Sequence, residues 1–387
     1  MDKKTLRDLT LLAIISIGST FLVWLPFLLR IKSFWGLSYP QNGLFALWRN
    51  FDGLNYIAVA KSWYNPEILR TQFGALGQGP QYFAAHFPLY PALIWIFAPF
   101  FGFLNGMLLV TMLFSGLSAG MFYLLVKEFK LTRDPLFLTI VFLFLPARWV
   151  VVRSVGAPEP VFIFATLAAF YFLKKEKYLL MGIATALAVF TKSPGILLFL
   201  AIAIYLKLPA IKAFFKGKLK ECLKLIPWKA WPIILAPLAL LGTFALFQAT
   251  YNDFFAYFHS GDNIHLFWPP FSIFNKNQFW VGTFWLEHVT FDYLLVASGI
   301  ALLFKKKLYA MAIFITIYFI ASLFVAHLDI TRYLIPTAPF VIIGMENWLT
   351  TKEFKWIFIF MLIPIYLFAQ NFIIGNTAPI TDFTPFR

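Results

Sequence analysis

The sequence contains little charge and almost no cysteine. Only 13% of its 387 residues are charged, against about 25% in soluble domains. Cys222 is the only cysteine, which excludes an intrachain disulfide framework and a cysteine-based metal site. Walker A, GxGxxG and GxSxG motifs are also missing, so nothing predicts a soluble nucleotide-binding fold. A lipid-activated substrate or a gradient is then the expected source of energy.

Apolar residues take the place of the missing charge. Mean hydropathy is +0.77, and apolar runs near the ~20 residues that cross a bilayer recur along the chain. We therefore predict an all-α fold, a polytopic transmembrane helical bundle with about 11 spans. The predicted spans are 9–29, 103–126, 135–151, 159–173, 178–191, 195–206, 231–250, 290–304, 308–325, 333–349 and 355–374.

The distribution of lysine and arginine predicts which segments lie inside. Cytoplasmic loops carry the excess of these residues, which makes 207–229 a basic cytoplasmic loop and 30–102 and 251–288 the two long external loops. The short apolar piece 89–101 is expected to be a juxtamembrane or re-entrant helix. We expect one domain over 1–387, with the net charge of +15 used for topology and contact with lipid headgroups rather than for nucleic acid.

The stretch WRNFDGLNYIAVAKSWY (48–64) holds an acid among aromatic residues beside a span. Asp52 is the candidate general base, because a carboxylate at a membrane interface can accept a proton from a reacting hydroxyl. Tyr56, four residues later, would share its helix face. The alternative is that Asp52 only caps the helix that Gly53 begins, and spacing does not decide between the two.

The segment HFPLYP (86–91) follows in the same external loop. Its two prolines predict a rigid turn entering the membrane. His86 could hydrogen-bond a phosphate or a sugar hydroxyl, whereas the alternative is a purely structural histidine.

Four cations fall at the outer ends of predicted spans: Arg148, Arg153, Lys192 and Arg332. Such cations suit a lipid phosphate, which arginine binds in a bidentate way. The alternatives are contact with headgroups or pairing, of Arg153 with Glu159 and of Arg332 with Asp329. Arg332 is the strongest candidate, since RYLIPTAP (332–339) places it at a proline-broken span.

A metal is not expected. His259, Asp262 and His265 share one polar loop, and their spacing could hold an ion. Three scattered ligands in such a loop are more often solvated side chains.

Three blocks resemble the PIG-V-type mannosyltransferases, a family of the GT-C glycosyltransferase superfamily. The first is FDGLNYIAVAKSWYNPE with AAHFPLYPALIWIF, the second PARWVVVRSVGAPEPVFIFATLAAFYFL (146–173), and the third RYLIPTAPF (332–340). The resemblance implies the GT-C architecture at prokaryotic length and a polyprenyl- or dolichyl-phosphate-linked sugar donor. It also implies inverting transfer on the non-cytoplasmic side, with the acid of the first external loop, Asp52, as base.

Together these observations predict a metal-independent membrane glycosyltransferase, with mannose as the expected sugar and no cofactor. Its partners would be the lipid-linked donor, a glycan or glycolipid acceptor and membrane lipids, in the plasma membrane of a prokaryote or the endoplasmic reticulum of a eukaryote. Alternatives are a transporter or flippase of lipid-linked sugars and a noncatalytic subunit of a glycosylation complex. The predicted substrate-binding residues are Arg49, Tyr56, His86, Tyr90, Arg153, Glu159, Lys192 and Arg332.

Overall fold

The computed structural model describes residues 2–217, 224–225, 227–275 and 281–387, apart from the side chains of residues 262, 283 and 284. The protein is 74% helical. Within these residues the only paired strands are β1 (Ser33–Phe34) and β2 (Leu37–Ser38), which run antiparallel. The all-α class predicted from the sequence is confirmed.

The helices follow the apolar runs. The first nine are α1 (Lys3–Leu28), α2 (Phe45–Trp48), α3 (Gly53–Ser62), α4 (Pro66–Gln72), α5 (Leu89–Glu128), α6 (Pro135–Phe144), α7 (Ala147–Val152), α8 (Glu159–Lys174) and α9 (Tyr178–Thr191). The chain continues with α10 (Gly195–Phe215), α11 (Leu235–Tyr251), α12 (Thr283–Lys305), α13 (Tyr309–Ser322), α14 (Ile330–Tyr333), α15 (Ala338–Gly344), α16 (Glu346–Leu349) and α17 (Lys352–Gly375).

Among the described residues, six helices are long and apolar enough to cross a membrane, as expected of an integral membrane protein. They are Lys3–Leu28, Leu89–Glu128, Gly195–Phe215, Trp228–Tyr251, Trp285–Lys305 and Lys352–Gly375. Each of the other predicted spans also falls on helical residues, but their helices are shorter or interrupted. Prolines explain one case, because Pro336 and Pro339 divide the predicted span 333–349 into short pieces.

Helix ends follow local sequence signals. The Asp2 carboxylate accepts a hydrogen bond from the Thr5 amide at 2.6 Å and so caps α1. Asn65 caps α4 in the same way, with Pro66 at the first helical position. The gap TKSPG (191–195) between the predicted spans 178–191 and 195–206 also separates two helices, since α9 ends at Thr191 and α10 begins at Gly195.

The helical stretch α5 consists of two arms. Gly102 interrupts it with φ 72° and ψ 161°, a region of backbone conformation that is essentially restricted to glycine. The arms then pack against each other, because a Cβ atom added to Gly106 would lie 3.5 Å from the Ala98 amide nitrogen. The piece 89–101, predicted as a juxtamembrane or re-entrant helix, is therefore the first arm of a helical hairpin.

The chain divides into two compact units, each made of separate stretches of sequence, where the sequence predicts one domain. Unit 1 comprises Met1–Phe164, Thr243–Ile264 and Glu346–Arg387, and unit 2 comprises Ala165–Gly242 and His265–Met345. In unit 1, α5 packs against α1, α3 and α6. In unit 2, α12 packs closely on α15, because Gly299 has no room for a Cβ atom against Val341.

Candidate functional site

Asp52 lies at the first turn of α3 without capping it. The residue occupies the N-cap position, yet its side chain makes no capping hydrogen bond to the described helix. The helix start predicted at Gly53 is thus confirmed, whereas a capping role of the Asp52 side chain is not. The half-buried carboxylate is thus held at the positive end of α3, with its oxygens not used by that helix.

The residue before Asp52 has an unusual backbone conformation. Phe51 has φ 46°, the left-handed region that a bulky residue rarely adopts. Its ring lies 5.5 Å from that of Phe372, and the guanidinium of Arg148 lies 4.1 Å from the Phe372 ring centre. Arg148, one of the four cations noted in the sequence, is thereby near the Asp52 segment. Strained residues of this kind concentrate at functional sites.

Three predicted substrate-binding residues, Tyr56 of α3 together with His86 and Tyr90, form one aromatic cluster. The Tyr56 ring lies 4.8 Å from the His86 ring and 5.0 Å from the Tyr90 ring. All three are buried, with exposures of 5%, 3% and 0%. The structure brings these residues together, but as packed neighbours that support α3. Direct contact with a substrate would need an opening at this cluster.

The first and second resemblance blocks meet at Met107 on α5. A Cβ atom added to Gly53 would lie 3.0 Å from the Met107 sulfur, and one added to Gly156 would lie 2.9 Å from its Cγ and closer still to Sδ. Both glycines are thus needed for this packing. The segment after Asp52 and the outer turn RSVGAPEP (153–160) are consequently held together in unit 1.

Hydrogen bonds reinforce this junction. The hydroxyls of Tyr90 and Thr111 are 2.7 Å apart, and the Thr111 hydroxyl also donates to the carbonyl oxygen of Ala157 at 3.3 Å. Glu159 follows two residues later and is fully buried. Its predicted role in substrate binding stays a prediction.

Arg153 serves the packing of helices, in contrast to its predicted role at a lipid phosphate. Its guanidinium donates to the Leu143 carbonyl oxygen at 2.9 Å, to the Ser19 hydroxyl at 2.8 Å, to the Thr20 hydroxyl at 3.1 Å and to the Ser16 carbonyl oxygen at 3.3 Å. Burial lowers the pKa of Arg153 to about 9. This value is still above neutral pH, and the guanidinium therefore stays protonated there. The side chain joins α1 to α6 and has no exposed surface, and its predicted binding of a lipid phosphate stays a prediction.

Residues 376–387, here named the tail segment, return to the Asp52 region. Thr377 forms an antiparallel bridge with Asn50, and the Ala378 amide donates to the Arg49 carbonyl oxygen at 2.8 Å. The Arg49 side chain donates in turn to the Ile380 carbonyl oxygen at 3.3 Å. Arg49, predicted to bind substrate, therefore also anchors the tail segment.

A cavity of about 190 Å³ lies between the Asp52 region and the tail segment. Its lining residues come from three stretches of unit 1, 51–55, 75–78 and 378–380, and all of them are uncharged. The lining includes one aromatic residue, Phe51, and two amide residues, Asn55 and Gln78. The sequence offers no signal for this cavity, since its walls meet only through the return of the tail segment.

Unit 2 holds the two remaining predicted phosphate ligands. The Lys192 ammonium lies 6.0 Å from the centre of the Tyr333 ring, and Arg332 is the residue before this tyrosine. Arg332 is 4% exposed and Lys192 half-buried. The structure thus brings Lys192 close to the third resemblance block, although their binding of phosphate stays a prediction.

No set of three or more potential metal ligands occurs among the described residues. Of the loop candidates, His259 contacts the Asp253 carboxylate at 2.7 Å, whereas His265 stacks on His327 with 4.0 Å between ring centres. The Asp262 side chain lies outside the described residues.

Comparison with known proteins finds no matching family model and no matching curated protein.

Proposed function

We propose that the chain is a membrane glycosyltransferase that uses Asp52 as its general base. The donor would be a polyprenyl- or dolichyl-phosphate-linked sugar, with mannose the first to test, and the acceptor a hydroxyl of a glycan or glycolipid. The observation that carries this proposal is the position of Asp52, a half-buried carboxylate at the start of α3 that is flanked in sequence by residues lining an uncharged cavity.

The chemical step is a single displacement at the anomeric carbon. The acceptor oxygen attacks C1 as Asp52 accepts its proton, and the bond from C1 to the phosphate oxygen breaks. The lipid phosphate leaves with the electron pair, and the configuration at C1 inverts. A general base acts as the ionised carboxylate, and Asp52 lies at the N-terminal end of α3.

The lipid phosphate leaves as an anion, and cationic side chains would stabilise its developing negative charge. Arg148 is a candidate in unit 1, because it lies over the Phe372 ring that also contacts Phe51. Arg332 and Lys192 are the candidates in unit 2, on the basis of the sequence resemblance and of Lys192 lying near Tyr333. Arg153 is left out of this set, since its donors serve α1 and α6.

The proposal includes about 11 spans, a GT-C architecture and a site on the non-cytoplasmic face. The loop 30–102 is predicted to lie outside, and eleven spans would leave the tail segment on that same side. The packing of the tail segment on residues 49–50 of this loop supports placing the two together. The membrane would be the plasma membrane in a prokaryote or the endoplasmic reticulum in a eukaryote.

The decisive experiment uses the purified protein, radiolabelled polyprenyl-phosphate-mannose and a panel of glycan and glycolipid acceptors. Transfer by the protein alone that Asp52→Asn abolishes, with an unchanged unfolding temperature, would support the proposal. Transfer that persists in Asp52→Asn would refute the role of Asp52. Movement of the lipid-linked sugar across vesicles without transfer would favour a transporter, and transfer that requires another subunit would favour a noncatalytic role.

A further inference from the structure

The cavity beside the Asp52 segment has the chemistry of a site for one uncharged sugar ring. Its volume of about 190 Å³ equals that of roughly six liquid waters, which is close to what a pyranose ring with its hydroxyls displaces. It is well below the ~300–1,000 Å³ of pockets that hold drug-sized ligands. A single hexose ring is therefore the appropriate size of ligand, and a longer glycan would extend outside.

Two amide side chains give the cavity its hydrogen-bonding capacity. Asn55 is half-buried on α3, whereas Gln78 is exposed in the loop before Pro80, and both line the cavity. Neither side chain hydrogen-bonds to any residue that the structure describes. An amide offers both donors and acceptors, which is the pairing that vicinal hydroxyls require. The two side chains can thus bind a polyol without first breaking a protein contact.

The remaining walls are apolar and neutral. Phe51 provides an aromatic surface, and Leu54 and Ile380 are apolar. A phosphate or a uronic acid would call for arginine or lysine in the lining, and no lining residue is charged. The apolar C–H face of a neutral pyranose fits an aromatic ring, whereas its hydroxyls fit the amides.

The cavity lies beside the proposed general base, because two of its lining residues flank Asp52 in the sequence. Phe51 and Asn55 lie one residue before and three residues after Asp52, so a ring held by them is next to the segment that carries the base. We infer that this cavity is the subsite for the acceptor's terminal hexose, a neutral hexopyranose held by Asn55 and Gln78. The assignment of this hexose to the acceptor rests on the proposed function. The binding of a neutral hexose can be measured without any transfer.

The test measures binding of methyl hexopyranosides to the full-length protein in nanodiscs by saturation-transfer NMR. The panel contains the methyl glycosides of mannose, glucose and galactose at millimolar concentration. We expect at least one to receive saturation, with at least tenfold weaker affinity in the double variant Asn55→Ala, Gln78→Ala. Gln81→Ala is the matched control, because Gln81 is exposed and does not line the cavity; it should bind as the unaltered protein does.

A second variant guards against loss of fold. Ala75→Trp places a large side chain into the cavity from an exposed position and should abolish binding while the unfolding temperature stays unchanged. Absence of saturation for every glycoside, or unchanged affinity in the double variant, would overturn the subsite.

Asp52→Asn separates the subsite from the proposed function. Hexoside binding that survives in this variant while transfer stops supports both ideas. Binding without any transfer in the unaltered protein would keep the subsite and refute the proposed function. Asp52-dependent transfer without hexoside binding would keep the function and refute the subsite.

Discussion

The rings of Phe45 and Phe383 lie 4.5 Å apart, although one precedes the Asp52 segment and the other belongs to the tail segment. Phe383 is 3% exposed and also contacts the Trp48 ring at 5.7 Å. The Lys61 ammonium adds hydrogen bonds of 2.7 Å to the carbonyl oxygens of Pro385 and Arg387. The tail segment is therefore part of the folded core of unit 1.

Phe383→Ala should loosen the tail segment. Truncating a buried phenylalanine costs ~3–5 kcal/mol, so local opening of residues 377–387 should become about 100-fold more frequent or greater. Hydrogen exchange of the tail amides measures this directly. Thr381→Ala, at an exposed neighbouring position, is the control, and equal exchange in both variants would contradict the assigned packing.

Asp52→Asn should lower transfer by about 100-fold or more, since a positioned base contributes ~10²–10⁴-fold. The amide is nearly isosteric, so the unfolding temperature should not change. Glu67→Gln is the matched control, because Glu67 is an exposed acid of the same loop whose partner is Arg70. Turnover of the lipid-linked sugar by the purified variants is the measurement, and equal loss in both would deny Asp52 a special role.

Arg153→Met should destabilise the protein rather than weaken donor binding. The substitution removes the four hydrogen bonds of the guanidinium and leaves the buried Leu143 carbonyl oxygen without this donor, and a buried unsatisfied group costs ~1–3 kcal/mol. We expect a clear fall in unfolding temperature, whereas Arg133→Met, at an exposed loop position, should have little effect. A stable Arg153→Met protein that no longer binds polyprenyl phosphate would restore Arg153 as a ligand.

Gly156→Ala should disturb the junction that Met107 makes with the Asp52 segment. The new methyl group would overlap the Met107 side chain, and overpacking of this kind costs ~1–3 kcal/mol. Met107→Ala removes the obstacle, so the double variant should be more stable than the sum of the two single changes predicts. Thermal unfolding of the four proteins completes this cycle, and strict additivity would mean that the two residues do not meet.

The predicted sidedness can be tested by labelling. In a Cys222→Ser background, Gln72→Cys should react with a membrane-impermeant maleimide in intact cells, because 30–102 is predicted to lie outside. Lys216→Cys, in the predicted cytoplasmic loop 207–229, should react only after permeabilisation. Both positions are exposed. The reverse pattern would invert the topology and move Asp52 to the cytoplasmic face.

Local signals in the sequence predicted much of the helical framework. The gap at 191–195 and the break before residue 103 follow from proline, glycine and the length of apolar runs, which act over a few residues. The cap at Asp52 could not be decided in this way. Capping depends on the backbone angles of residues 51–53, and spacing does not fix them.

The contacts that shape the candidate site are long-range, and this is why the sequence did not reveal them. Arg153 and Arg148 look alike in sequence, but one is enclosed by α1 and α6 while the other lies over Phe372. Tyr56, His86 and Tyr90 were predicted to bind substrate, and their mutual packing could not be foreseen from their spacing. The cavity itself depends on residues 378–380, far from Asp52 in the chain.

The backbone conformation of Gly102 sets where the first arm of α5 ends. At 1.5 Å per residue the arm 89–101 is about 20 Å long, which is shorter than the ~30 Å hydrocarbon core. The arm is therefore too short to cross that core alone, and it carries exposed apolar rings, with Trp95 53% and Phe100 80% exposed. Moving the glycine by one helical turn would change the reach by about 5 Å. A single residue without a side chain thus sets the length of this arm.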